Sequence, residues 1–156
     1  MALFKATVVN KNHEQLSSSI TYGLNTEKLI NYYYDDNAND GSGGIVFFYV
    51  ENEDRRKKAI RYETADSWTD FANLLDRPFD RRRINLQVVA KGITDEEWIE
   101  DVNIDANRIV RVYDNDAGTY GYVEFDNGAF DVLRYKTEEL RSEIMAEVST
   151  SVSTST

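Results

Sequence analysis

The chain has 156 residues, a net charge of −10, a single histidine and no cysteine. Its length and 41% hydrophobic content suit one domain with its own core, built without disulfides or a structural metal. The absence of cysteine removes thiol catalysis, zinc–thiolate sites and iron–sulfur clusters, and the acidic balance disfavours nucleic acid, whose binding rests on neutralising phosphates.

Residues 3–9, LFKATVV, read as a first strand of β-branched residues. A polar stretch follows to residue 19. It holds His13 with no patterned serine or carboxylate partner, so the histidine is expected in a solvated loop or at a strand end. Residues 29–34, LINYYY, and 45–50, IVFFYV, are strand-like, and the second is apolar on both faces, which predicts a central strand.

The ten residues between them, 35–44, are all small or polar, the composition of a long hairpin loop. Asp35, Asn37 and Asn39 alternate as in a calcium loop. Position six is Asp40, however, and position twelve is Val46, so the motif fails and only a loose cation candidate from Asp35, Asp36 and Asp40 remains. GSGG is followed by a strand and carries no Lys-Ser/Thr, so it is not a phosphate cradle.

Residues 57–64, KKAIRYET, form a further strand after the charged turn ENEDRR. Trp68, Phe71, Ala72 and Leu75 then fall on one helical face, with Asp66 or Ser67 as cap and Pro78 beyond the end. Residues 82–92 return to a strand. TDEEWIED is read as a helical turn capped by Thr94, with Glu97 in the capping-box position, in preference to a strand leading into VNID.

Residues 108–136 read as three strands joined by turns. A two-residue turn at Asn127 and Gly128 would set Phe125 opposite Phe130 and Val123 opposite Val132. On the other face it would pair Glu124 with Asp131, Tyr122 with Leu133 and Tyr120 with Tyr135. A short helix over 137–148 is expected, with Thr137 as cap and Leu140, Ile144 and Val148 spaced by four. A Ser/Thr tail, 149–156, is too polar to order itself. No repeat of solenoid or propeller period is visible.

The expected fold is α+β: a single domain over 1–136 dominated by antiparallel sheet, with one internal helix, and the C-terminal helix 137–148 packed on it. An all-β sandwich is the alternative. The N-terminus lacks a signal-peptide pattern and no apolar run reaches bilayer length, so a soluble protein with no membrane partner is expected.

Charge is uneven along the chain. Residues 51–83 hold nine basic and eight acidic groups, whereas 93–148 hold fifteen acidic and five basic. This pattern suits a head-to-tail contact in which Arg55, Arg56, Arg81, Arg82 and Arg83 approach Glu138, Glu139 and Glu143 of another chain. Tyr120, Tyr122 and Tyr135 would supply the burial. No complete nucleophile–base or cofactor motif is present, so neither enzymatic activity nor a cofactor is expected.

Compact, cysteine-free, rich in Asn, Asp and Tyr, with long polar loops and a Ser/Thr arm, the chain resembles in composition the small virion structural proteins of tailed phages. The resemblance implies a head- or tail-associated subunit, located in the virion, that binds copies of itself or other coat proteins. Tyrosines interleaved with acids and amides, in 32–40 and in YDNDAGTYGY, also fit a carbohydrate-binding module, in which rings stack on sugars and carboxylates hold hydroxyls.

Overall fold

The computed structural model describes residues 3–69, 71, 83–128 and 131–153. The strands are β1 (Leu3–Lys11), β2 (Glu14–Asn25), β3 (Leu29–Asp35), β4 (Gly44–Glu53) and β5 (Arg56–Thr64), then β6 (Arg83–Lys91), β7 (Glu97–Asp105), β8 (Ile109–Asp114), β9 (Gly121–Asp126) and β10 (Val132–Thr137). The helix α1 (Arg141–Ser153) follows. All ten strands lie in one antiparallel sheet, in the order β2-β1-β5-β4-β3-β7-β6-β10-β9-β8.

That order is the same five-strand pattern written twice. β6 to β10 repeat the connectivity of β1 to β5, and the two units join where β3 pairs with β7. The details repeat as well. A 3-10 turn links the second and third strand of each unit, Thr26–Lys28 and Ala106–Arg108. Each is capped by a side chain accepting the N–H two residues on: Asn25 from Glu27 at 2.9 Å, and Asp105 from Asn107 at 3.0 Å. A bulge follows each turn, between Leu29 and Asn31 and between Ile109 and Arg111.

The end of each unit is latched alike. The N–H of Thr7 meets the Asp66 carboxylate and that of Gln87 the Glu139 carboxylate, both at 3.0 Å. The N–H of Ala65 reaches Thr7 O at 3.0 Å, as that of Glu138 reaches Gln87 O at 2.9 Å. The strands before these latches read Arg61-Tyr62-Glu63-Thr64 and Arg134-Tyr135-Lys136-Thr137.

The repeat forces each unit to curl. In a flat sheet, β2 and β3 would stand four strand spacings apart, about 19 Å. The three residues joining them reach at most about 14 Å even when fully extended. The inner face of the first curl is filled by Phe4, Ala6, Val8, Leu29, Tyr32, Ile45, Phe47, Ile60 and Tyr62, with Phe71 of the helical turn after β5 among them. Tyr32 and Phe47 lie 4.8 and 5.7 Å from the Phe71 ring.

The second core holds Ile84, Leu86, Val88, Val102, Ile104, Val123, Phe125 and Ile144 of α1, but it also takes Ile30, Tyr33, Phe48 and Val50 from the outer face of the first unit. The first core uses only its own unit, whereas the second is completed by its neighbour. Arg83 strengthens this joint, donating to the carbonyls of Thr26, Leu29 and Ile30 at 2.9, 2.6 and 3.2 Å, and Arg108 donates to Glu27 O at 3.0 Å.

The mostly antiparallel architecture matches expectation, and β4 is central, as its two apolar faces require. Several local readings are corrected. From Glu14 onward the polar stretch before residue 20 belongs to β2, an edge strand that needs no apolar alternation. At TDEEWIED the strand alternative holds from Glu97, where β7 begins, held by nine pairs with β6. The β9–β10 connection is longer than two residues, so Val123 faces Tyr135, Phe125 faces Leu133, Glu124 faces Arg134 and Tyr122 faces Lys136. Thr137 ends β10, and its hydroxyl donates to Glu139 O at 2.8 Å, with Gly121 O 3.3 Å away, instead of capping a helix. α1 starts four residues later and continues to Ser153, into the expected tail. The helix expected beyond Phe71 lies outside the described residues.

Candidate functional site

Two surfaces concentrate unusual side chains. The first is a cleft of about 740 Å³ across the junction of the two units. β3 and the loop after it contribute Tyr33, Tyr34, Asp35, Asp36 and Asn37; β7 contributes Trp98, Ile99, Glu100 and Asp101; Trp68 comes from the turn after β5. Both tryptophans of the chain therefore line one cleft. The Trp98 indole donates to Glu100 at 2.9 Å, and Gln87 donates to Asp101. Burial, opposed by the Arg61 guanidinium, raises the Tyr33 hydroxyl above its ordinary pKa, with Glu100 and Asp35 adding to the rise.

The loop of residues 36–42 folds on itself, with Gly43 N reaching Ala38 O at 2.9 Å and Gly41 N reaching Asn37 O at 3.3 Å. Ala38 is 1% exposed and the N–H of Asn39 meets Glu63 at 3.2 Å, so this small-residue loop has a buried anchor. Among the described residues, no group of three or more His, Asp or Glu could hold a metal ion, and Asp35, Asp36 and Asp40 do not form one.

The second surface is the outward face of β8, β9 and β10. Tyr113 and Tyr122 have ring centroids 5.2 Å apart, and Tyr122 and Tyr120 5.4 Å. Cations lie over this row: Arg134 4.4 Å from the Tyr122 centroid, Lys136 4.2 Å from Tyr120 and Arg111 5.8 Å from Tyr113. Glu124 accepts from Arg111 at 2.7 Å and from Tyr113 at 3.2 Å, which holds its carboxyl below the usual range. The hydroxyl of Tyr122 donates to that of Tyr120, lowering the pKa of Tyr120 and raising its own.

Tyr120 and Tyr122 thus share a surface, as expected, but Tyr135 does not join them. The longer β9–β10 connection turns Tyr135 toward the core, where its hydroxyl takes a 2.5 Å bond from Asn31 and burial raises its pKa. Arg83 is engaged with carbonyls of the first unit, and Glu139 with the N–H of Gln87. Arg55 and Arg56 are exposed at the β4–β5 turn, and Glu138 and Glu143 at the foot of α1. Arg81 and Arg82 lie outside the described residues. Sequence reading missed Arg111, Tyr113, Arg134 and Lys136, although the alternation VLRYK already places Arg134 and Lys136 on one face.

Among the described residues, no helix is long and apolar enough to cross a membrane. No family model matches the chain, and no curated protein or solved structure matches it.

Proposed function

We propose that the protein is a non-enzymatic assembly subunit that binds other protein chains, in the setting its composition suggests, the particle of a tailed phage. One observation carries this reading. The outward face of β8–β10 occupies the position that the face of β3–β5 holds in the first unit, and the first-unit face is the one that binds a neighbouring unit. In the first unit it presents Tyr33, Phe48 and Val50, apolar enough for a permanent contact. In the second the corresponding positions are Tyr113, Glu124 and Asp126, with Tyr122 and Arg134 beside them. Tyrosine and arginine at a polar surface are the composition of exchangeable interfaces.

Sedimentation across protein and salt concentration, with and without purified particle proteins, tests the reading. Tyr122→Ala is expected to weaken association tenfold or more, about 1.4 kcal/mol or above for an interface anchor. A wild-type monomer under every condition, with no particle protein bound, would remove the basis of the proposal.

The aromatic and acidic cleft favours a second reading, a carbohydrate-binding module. Indole rings would stack on sugar faces while Asp35, Asn37 and Asp101 hold hydroxyls. Since both tryptophans line the cleft, intrinsic fluorescence reports on it directly, and a glycan panel that leaves the emission unchanged would set this reading aside.

A further inference from the structure

We infer that copies of the chain join head to tail by pairing β8 of one copy with β2 of the next, in the register already used inside the chain between β3 and β7. This rests on the assembly reading and specifies the partner as a second copy. The argument begins with the repeat. Within the chain the third strand of one unit pairs with the second strand of the following unit, antiparallel, with Asn31 opposite Ile104, Tyr32 opposite Asn103 and Tyr33 opposite Val102. The third strand of the second unit is β8 and the second strand of the first unit is β2. Among the described residues these are the two edges of the sheet, and neither pairs further. Unpaired edges present rows of backbone donors and acceptors that template another strand.

The bulges and 3-10 turns align the units residue by residue. By that alignment Asn31, Tyr32 and Tyr33 correspond to Arg111, Val112 and Tyr113. Ile104, Asn103 and Val102 correspond to Leu24, Gly23 and Tyr22 through their shared places opposite β1 and β6. The joint between copies therefore sets Arg111 opposite Leu24, Val112 opposite Gly23 and Tyr113 opposite Tyr22. The last is an aromatic cross-strand pair.

Exposed side chains support the same joint. Arg83, which seals the internal junction against the Ile30 carbonyl, corresponds to Leu3, and Ile30 corresponds to Val110. Leu3 and Val110 are 53% and 57% exposed, and the pairing brings Leu3 of one copy beside Val110 of the other. Lys28 corresponds to Arg108, whose guanidinium reaches Glu27 O, and so can reach the carbonyl of Asn107 across the joint. Such a contact is heterologous, and its repetition makes a ring or an open filament.

The chain has no cysteine, so introduced thiols report without background. A Cβ added at Gly23 meets nothing within 4 Å, so Gly23→Cys fits the folded chain. Under mild oxidation the double variant Gly23→Cys with Val112→Cys is expected to form a ladder of disulfide-linked oligomers, while each single variant does not. Tyr22→Cys with Tyr113→Cys, the adjacent pair, should give the same ladder. Gly23→Cys with Tyr113→Cys, whose side chains point to opposite faces, should give far less. Cooperative unfolding of each variant confirms that it is folded. If the wild type self-associates but neither in-register pair yields a ladder, or if the disulfide closes within one chain, the inference is overturned and the assembly reading survives on Tyr122. A wild type that stays monomeric at every concentration also overturns it, and the assembly reading then depends on particle proteins alone.

Discussion

Gly128, in the loop between β9 and β10, rests against Val50 of β4: its φ is +78°, and a Cβ added there would lie 2.5 Å from Val50 Cγ2. This contact ties the tip of the second unit to the face of the first, and both its backbone and its space demand glycine. Gly128→Ala is expected to cost about 1–2 kcal/mol from the left-handed backbone alone, with steric repulsion from Val50 added. Urea unfolding measures it. A variant as stable as the wild type would show that the loop does not bear on Val50.

The two cores predict unequal autonomy. The first uses only residues of its own unit, whereas the second needs Ile30, Phe48 and Val50 of the other. A fragment of residues 1–82 is expected to unfold cooperatively on heating, and a fragment of residues 83–156 to show no cooperative transition. Circular dichroism melts of the two fragments decide this. A cooperative melt of the second fragment alone would mean that its core is complete without the borrowed face.

Arg83 acts as an internal brace. Its guanidinium serves three carbonyls around the 3-10 turn of the first unit. Arg83→Met keeps much of the side-chain length but leaves those acceptors without their charged donor, and is expected to cost about 2–4 kcal/mol. The loss should appear in unfolding of the isolated chain at any salt concentration. If stability holds and only the salt dependence of association changes, Arg83 belongs to an interface instead.

Glu139 carries a pH signature. Burial raises its pKa above the ordinary carboxylate value, and Glu143 and Glu138 add to the rise, against the hydrogen bond from Gln87 that lowers it. A raised folded value means that the folded state holds the proton more tightly than the unfolded chain. Its contribution is complete below the unfolded pKa and is lost as pH climbs through the folded one. Glu139→Gln removes the titration and retains an acceptor for Gln87. The melting temperature of this variant relative to wild type should rise across that window, and a constant difference from pH 3 to 8 would refute the assignment.

Much of the sheet is legible in the sequence because strand signals are local. The apolar run 45–50 identifies β4 as central, and the alternation in RINLQVVAK identifies β6. β2 is illegible for the opposite reason: an edge strand is held by backbone bonds on one side, so polar residues such as Gln15 opposite Asn10 and Thr21 opposite Thr7 serve without an apolar pattern. The face of Tyr135 is likewise unreadable. Loop length sets register, and pairing Val123 with Tyr135 in place of Val132 shifts β10 by an odd number of residues, reversing its faces.

Composition and periodicity by themselves determined a cysteine-free, mostly antiparallel protein with tyrosine-rich acidic segments. Only the tertiary structure decided that it is one five-strand pattern used twice. The repeat length, about 80 residues, is longer than the periods that betray solenoids and propellers. Its preserved features are backbone ladders, two bulges and two capped 3-10 turns, which many side chains satisfy equally well. Side-chain likeness survives in scattered places, in the Arg-Tyr-x-Thr segments before each latch, in Val8-Val9-x-Lys11 against Val88-Val89-x-Lys91, and at Leu29 and Ile109, Ile30 and Val110, and Tyr33 and Tyr113, because hydrogen bonding between strands constrains backbone geometry more than residue identity.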